Sequence, residues 1–406
     1  MNSLTMITAL GIAQVIGYGT LYHSFALLAP AMAQGLGWPV EGVFGVLSAA
    51  LLASGLLAPR AGRWADSIGA GRVMAIGTLA SAAALTSCAL LPGRAAFVAT
   101  VTAIEIAAIL IQYNTSFSFL VQLDPRSAQR NITYLTLFAG LASTIFWPIT
   151  TSLHAVLSWR QVYLVFAASH LVICLPLYIW LLAWARRFRA GGGCAEAPRE
   201  TRPEPGPDRI DGQLAPEHRA TASALMIAGF AFQSFVLSAL LIHMLPLLYA
   251  IGLQSSAVAI GMLVGPAQLL SRTGSMVLGG RLSQSTLAIV SAGLMSGSLL
   301  ILLALMPHIG GAVAFAVVFG LGAGLSSIVQ GTLPLVLFGS TGYAARAGQI
   351  TSAKLIVSSA SPLIFSLLME RAGVAWTLAA SAAVGGASVF MFIAIMRLLR
   401  LQAPAR

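Results

Sequence analysis

The stretch from Gly62 to Arg72 reads GRWADSIGAGR and sets Arg63, Asp66 and Arg72 close together in a chain with few charges. Apolar runs flank it, Val43 to Ala58 before and Val73 to Leu91 after. A helix needs about 20 mainly apolar residues to cross a bilayer. A short charged turn between two such runs is therefore a loop joining two membrane helices. Pro59 and the flanking glycines suit a tight, closely packed backbone there.

Composition supports this reading. Charged residues make up 8% of the 406 and apolar residues 58%. A soluble domain carries about a quarter charged residues, so a water-soluble globule is excluded. The net charge of +11 is spread over loops between apolar runs and does not form one amphipathic face. The expected partner is thus a lipid bilayer and not a nucleic acid. Cys88, Cys174 and Cys194 have no metal-ligand spacing, so neither a metal site nor a disulfide framework is expected, and no cofactor is implied. The first apolar run is long and polar in its middle, which does not fit a cleaved signal peptide.

Twelve segments qualify as crossings: 5–33, 40–59, 72–92, 95–122, 128–156, 160–185, 221–250, 256–280, 285–306, 309–338, 343–370 and 374–399. The expected fold class is thus an all-α integral membrane protein. Arg60, Arg63, Arg72, Arg126, Arg130, Arg281, Arg346, Arg397, Arg400 and Arg406 fall on one side of these segments, with the stretch 186–219. The other side holds only Arg94, Arg160 and Arg371. The positive-inside rule makes the rich side cytoplasmic, and with it both termini. Residues 186–219 hold seven arginines, six acids and five prolines. They cannot bury enough apolar surface to fold alone and read as a flexible linker. The expected domains are a six-helix half over 1–185, the linker over 186–219 and a second six-helix half over 220–406.

The halves look related. GLGWPVEGVFGVLSAALL, from Gly35, is matched in position by GLQSSAVAIGMLVGPAQLL, from Gly252, and Pro148 and Pro362 occupy corresponding segments. The 62–72 loop resembles the signature of the major facilitator superfamily. Gly62, Asp66 and Gly69 match it, while Ser67 replaces a usual basic residue and Arg72 alone remains of a basic pair. GLASTIFWPIT (Gly140 to Thr150) and SSIVQGTLPLVLFGSTGY (Ser326 to Tyr343) resemble a bacterial branch of that superfamily, some members of which export arsenicals. There, an arginine usually stands where Gln330 stands here. The resemblance implies a twelve-helix major facilitator fold with two pseudo-symmetric halves and a solute site at their interface near the midplane. It also implies a multi-pass protein of the bacterial inner membrane, here expected to be a monomer.

Function must come from polar groups within the spans, where an ionisable residue costs roughly 2.5–3.5 kcal/mol on insertion scales. Glu105 lies in the fourth segment, Arg272 in the eighth, and Lys354, the chain's only lysine, in the eleventh. Two such cations resemble the arrangement of the oxalate–formate exchanger, which clamps a small dicarboxylate. Physically, two cations in a low-dielectric cavity repel one another, and an anion between them relieves the repulsion. Gln268, one turn from Arg272, and Gln330 are candidate donors. Tyr18 and Tyr22 share a face of the first segment, and Gln112 and Tyr134 complete the expected substrate-binding set. Glu105 is a candidate coupling residue; Asp66, Gly62, Gly69 and Arg72 are candidate conformational residues.

The six histidines are scattered and no acid pair or nucleophile–base set appears, so no enzyme is expected. The expected function is a secondary active transporter of a small, anionic organic solute working by alternating access. Efflux of drugs or arsenicals and uptake of an aromatic nutrient such as a vitamin are the alternatives. Proton coupling and exchange against a counter-substrate are both compatible with the residues, as are both directions. The topology is directly testable. A cysteine at position 200, in a chain lacking Cys194, should react with an impermeant maleimide only from the cytoplasmic face. Labelling from the opposite face would overturn the assignment.

Overall fold

The computed structural model describes residues 3–190, 212–277 and 282–401. The stretch 191–211, most of the expected linker, lies outside the described residues, as does Arg281. Every assigned element is helical. The chain divides into two compact units, Met1–Asp211 with Gly339–Gly348, and Gly212–Phe338 with Gln349–Arg406.

In the first unit α1 (Ser3–Tyr18) passes through a π-helical turn, Gly19–His23, into α2 (Ser24–Leu36). Then α3 (Val40–Trp64) passes through a second π turn, Ala65–Gly69, into α4 (Ala70–Leu90). This run of 51 residues is about 76 Å of helix at 1.5 Å per residue, far beyond the ~30 Å of a hydrocarbon core. The helical path is broken at Gly69, where φ is 92° and ψ is 133°, a conformation open to glycine at little steric cost.

Next come α5 (Arg94–Ile111), α6 (Tyr113–Leu123), α7 (Pro125–Gly140), α8 (Ala142–Val156) and α9 (Trp159–Ser169). A Ser158–Gln161 capping box starts α9. A third π turn, His170–Cys174, joins it to α10 (Leu175–Ala190).

The sequence pattern gives one helix over 95–122, whereas the structure breaks it at Gln112, with φ −73° and ψ −173°. The carbonyls freed there find side-chain donors. Gln14 Nε2 donates to the Ile111 carbonyl at 2.6 Å, and Thr115 Oγ1 donates to the Ile109 carbonyl at 3.1 Å.

The second unit opens with a 3₁₀ turn, Pro216–His218, and continues with α11 (Arg219–Ala250), α12 (Ala257–Met262), α13 (Val264–Val277), α14 (Gln284–Leu305), α15 (Ile309–Phe338) and α16 (Tyr343–Leu401). The expected single segment 256–280 is two helices in its described part. Pro266 has no N–H to continue the ladder, and the Leu263 N–H instead closes a turn onto the Ile260 carbonyl at 3.1 Å. The 59 residues of α16 are interrupted at Gly373, with φ 80° and ψ 171°.

Among the described residues, nine helices are long and apolar enough to cross a bilayer. Two of these, Val40–Leu90 and Tyr343–Leu401, each contain two of the expected segments, and 256–280 is not among the nine.

Two arginines on the sparse side of the expected topology have a structural use. Arg94 Nη2 donates to the Gly37 carbonyl at 2.7 Å and its Nε to the Leu36 carbonyl at 3.2 Å, closing the end of α2. Arg160 Nη1 donates to the Ala89 carbonyl at 2.8 Å and to that of Leu91 at 3.3 Å, closing the end of α4. Its guanidinium carbon stands 4.5 Å from the Trp159 ring centroid. Both therefore satisfy carbonyls that a helix end leaves open and place positive charge at the negative pole of a helix. Arg160→Met should cost about 2 kcal/mol and lower the melting temperature in detergent. An unchanged melting temperature would show that solvent serves these carbonyls equally well.

Candidate functional site

The second unit gathers Arg272, which is buried, and Lys354, which is half-buried, on one helix. Gly320 and Gly324 let α13 approach α15 closely. A Cβ on Gly320 would stand 2.7 Å from the Val264 carbonyl oxygen, and one on Gly324 would stand 2.5 Å from that of Gln268. This approach brings Arg272, 6% exposed, onto α15. Its Nε donates to Ser327 Oγ at 3.2 Å and its Nη2 to Gln268 Oε1 at 3.4 Å. Ser327 Oγ donates its own proton to the Gly324 carbonyl at 2.7 Å, so its lone pairs face the guanidinium. Lys354, on α16, donates through Nζ to Gln330 Oε1.

Ser327 and Gln330 are three residues apart on α15 and so share a face, about 4.5 Å apart along the axis. Four of the expected residues, Arg272, Gln268, Lys354 and Gln330, thus converge on a single helical face. Ser327, which links them, stands out in the sequence only by its spacing from Gln330. The polar partners seen on the cations are neutral hydroxyl and amide oxygens. The acids of this unit, Glu217 and Glu370, are both exposed.

Hydrogen bonds hold the scaffold around the pair. Ser234 Oγ on α11 donates to the Lys354 carbonyl at 3.3 Å and lies 2.6 Å from Ser358 Oγ. The adjacent Gln233 donates to Ser291 Oγ on α14 at 2.7 Å and accepts from Ser326 Oγ on α15 at 2.9 Å. Consecutive residues of α11 therefore tie down three helices.

In the first unit, Glu105 on α5 is buried at 6% exposure and within electrostatic reach of Tyr22 and Tyr163. The Tyr18 ring lies 4.8 Å from that of Tyr113, which stacks on Phe117 at 5.0 Å. Tyr22 is 49% exposed and edge-on to His23. Gln112 stands at the break between α5 and α6, and Tyr134 is half-buried on α7. Gln14, which caps the break and lies 3.5 Å from the Tyr178 hydroxyl, carries no sequence signal, because its partner is a carbonyl 97 positions away.

The 62–72 loop meets the start of α16. Asp66 Oδ1 accepts from the Ala344 amide at 3.2 Å and Oδ2 from the Ala345 amide at 2.8 Å. These are first-turn amides, without intrahelical acceptors and at the positive end of the helix. Gly62 makes room for the contact, since a Cβ there would stand 2.3 Å from the Ala344 carbonyl oxygen. The Arg346 guanidinium donates to the Gly339 and Thr341 carbonyls. Arg72 is exposed, with Nη1 3.5 Å from the Ile68 carbonyl oxygen.

Comparison with known proteins adds two findings. The family model described as Major Facilitator Superfamily matches residues 10–353. The crystal structure of the human organic anion transporter MFSD10 (TETRAN) superposes with a TM-score of 0.72 over 97% of this chain and 100% of that one. The two share 14% sequence identity, so this likeness concerns the fold alone. No curated protein matches the chain.

The Asp66 contact predicts its own loss. Asp66→Ala removes both acceptors, and at an exposed site each is worth about 1 kcal/mol. Amide hydrogen exchange at Ala344 and Ala345 should quicken by roughly fivefold or more. Unchanged exchange would show that the carboxylate does not hold these amides.

Proposed function

The chain belongs to the Major Facilitator Superfamily, and on that premise we propose that it is a secondary transporter moving a small anionic organic solute across the bacterial inner membrane by alternating access. Twelve crossings in two six-helix halves with cytoplasmic termini complete the reading. It is supported by the breaks at Gly69 and Gly373, which divide two overlong helical runs, and by the one-sided arginine distribution.

The observation that carries the anionic reading is the convergence of Arg272 and Lys354 on Ser327 and Gln330 of α15. Two cations bonded to residues one helical turn apart on α15 raise each other's energy in a low-dielectric interior, and an anion lowers it. The amide and hydroxyl oxygens of Ser327, Gln268 and Gln330 orient the two cations. A planar guanidinium binds a carboxylate in a fork and an ammonium binds it as a point, so the pair suits a solute with one carboxylate or two. Among the described residues no thiols gather into a cage for a metalloid: Cys88 lies on α4 and Cys174 in the π turn before α10, both buried.

For coupling, Glu105 is the acid set within a span of the first unit, and a proton-coupled cycle would use it; exchange needs no such group. The ring run Tyr18–Tyr113–Phe117 favours a second reading, uptake of an aromatic nutrient.

The test is uptake and counterflow of radiolabelled carboxylates, vitamins and arsenicals in proteoliposomes at two pH values. Arg272→Gln and Lys354→Gln should each cost about 2–5 kcal/mol of binding to the anion so found, a loss of about thirtyfold or more. Lys354→Arg should not restore it. Normal binding by both glutamine variants, with only thermal stability lowered, would refute the anion site.

A further inference from the structure

The loop that carries Asp66 is held by a residue outside it. Ala70 is the first residue of α4, and its N–H has no acceptor within the helix. The preceding Gly69 has no side chain to cap it. Gln122, near the end of α6, supplies the acceptor: its Oε1 takes the Ala70 N–H at 2.9 Å. Its Nε2 donates to the Ala65 carbonyl at 2.8 Å. A primary amide offers a donor and an acceptor side by side, and here the two bracket the π turn Ala65–Gly69 at both ends. Asp66 is the residue next to one of the bracketed ends. Its carboxylate reaches the Ala344 and Ala345 amides from that held turn.

The helix that bears Gln122 is a short separate piece. The break at Gln112 parts α6 from α5, leaving a rod about 16 Å long. At its far end Tyr113 lies against Tyr18. Near the other, Phe119 lies 3.2 Å from where a Cβ on Gly71 of α4 would stand. A displacement of Tyr113 is thus carried along a rigid helix to the two hydrogen bonds of Gln122. We propose that Gln122 is a positioning residue for the Asp66 contact. Through it, α6 acts as the lever by which the Tyr18–Tyr113 end of the first unit makes or releases the hold on the first turn of α16. This coupling is independent of which solute is carried.

The experiment uses the full chain in detergent without solute. Cys194 is replaced by serine, and spin labels are placed at Ser67→Cys and Thr341→Cys, both exposed positions. Pulsed electron resonance reads the distance between the labels. Asp66→Asn should add a longer-distance population that the parent lacks. Gln122→Leu, which loses both hydrogen bonds, should add the same population. So should Gln122→Glu, which keeps the shape but loses the donor to Ala65; it also serves if the leucine variant folds poorly. Combining Gln122→Leu with Asp66→Asn should shift the distribution no further than Asp66→Asn alone, as expected of one coupled unit. Ser118→Ala removes a hydrogen bond within α6, Ser118 Oγ to the Asn114 carbonyl at 2.6 Å. It should leave the distance unchanged whatever it does to melting. The proposal is overturned if both Gln122 variants keep the parent distribution. It is equally overturned if Ser118→Ala shifts the distribution as much as they do, or if Asp66→Asn produces no shift.

Discussion

A backbone amide or carbonyl freed inside a bilayer has no water to turn to, so each break in a membrane helix must be answered by another group of the protein. Helix ends nearer the surface leave the same groups open, and here they too are met from within the chain. The break at Gln112 is answered by Gln14 and Thr115. The turn between α3 and α4 is answered by Gln122. The first turn of α16 is answered by the Asp66 carboxylate, and the ends of α2 and α4 by Arg94 and Arg160. In each case at least one partner comes from elsewhere in the chain. The irregular points of the fold are therefore also its points of attachment.

The same economy governs the charges set within the helices. Arg272 and Lys354 are not left bare in an apolar medium. Oxygens of Ser327, Gln268 and Gln330 accept hydrogen bonds from them, offsetting part of the desolvation cost while leaving the positive charge in place. Close glycine contacts between α13 and α15 make this arrangement geometrically available. A bulkier residue at Gly320 or Gly324 would push Arg272 away from Ser327. Packing and electrostatics therefore meet on α15, and a substitution in either would be felt by the other.

The residues differ in how plainly they announce themselves. Arg272, Lys354 and Glu105 stand out in sequence because a charge within an apolar run is expensive and seldom incidental. The spacing of Gly62, Asp66 and Gly69 marks the loop for a related reason: a charged turn between two spans has few other uses. Gln14, Gln122 and Ser327 do not stand out. Amides and hydroxyls are tolerated in apolar helices, and the partners of Gln122 are backbone atoms 52 and 57 positions away. The break at Gln112 was equally hidden. No proline or glycine marks the position, and the break persists because Gln14, 97 positions from its acceptor, and the nearby Thr115 satisfy the freed carbonyls.

What the sequence determined by itself is the medium, the helical class and the charged positions, because hydrophobic run length and the cost of a buried charge are local properties of the chain. The tertiary structure alone decided that two cations from separate helices share one face of α15. It alone also decided that Asp66 meets amides nearly 280 positions away and that Gln122 braces the turn between. Those are questions of which unsatisfied group lies within hydrogen-bond reach of which other, and reach exists only once the helices have packed.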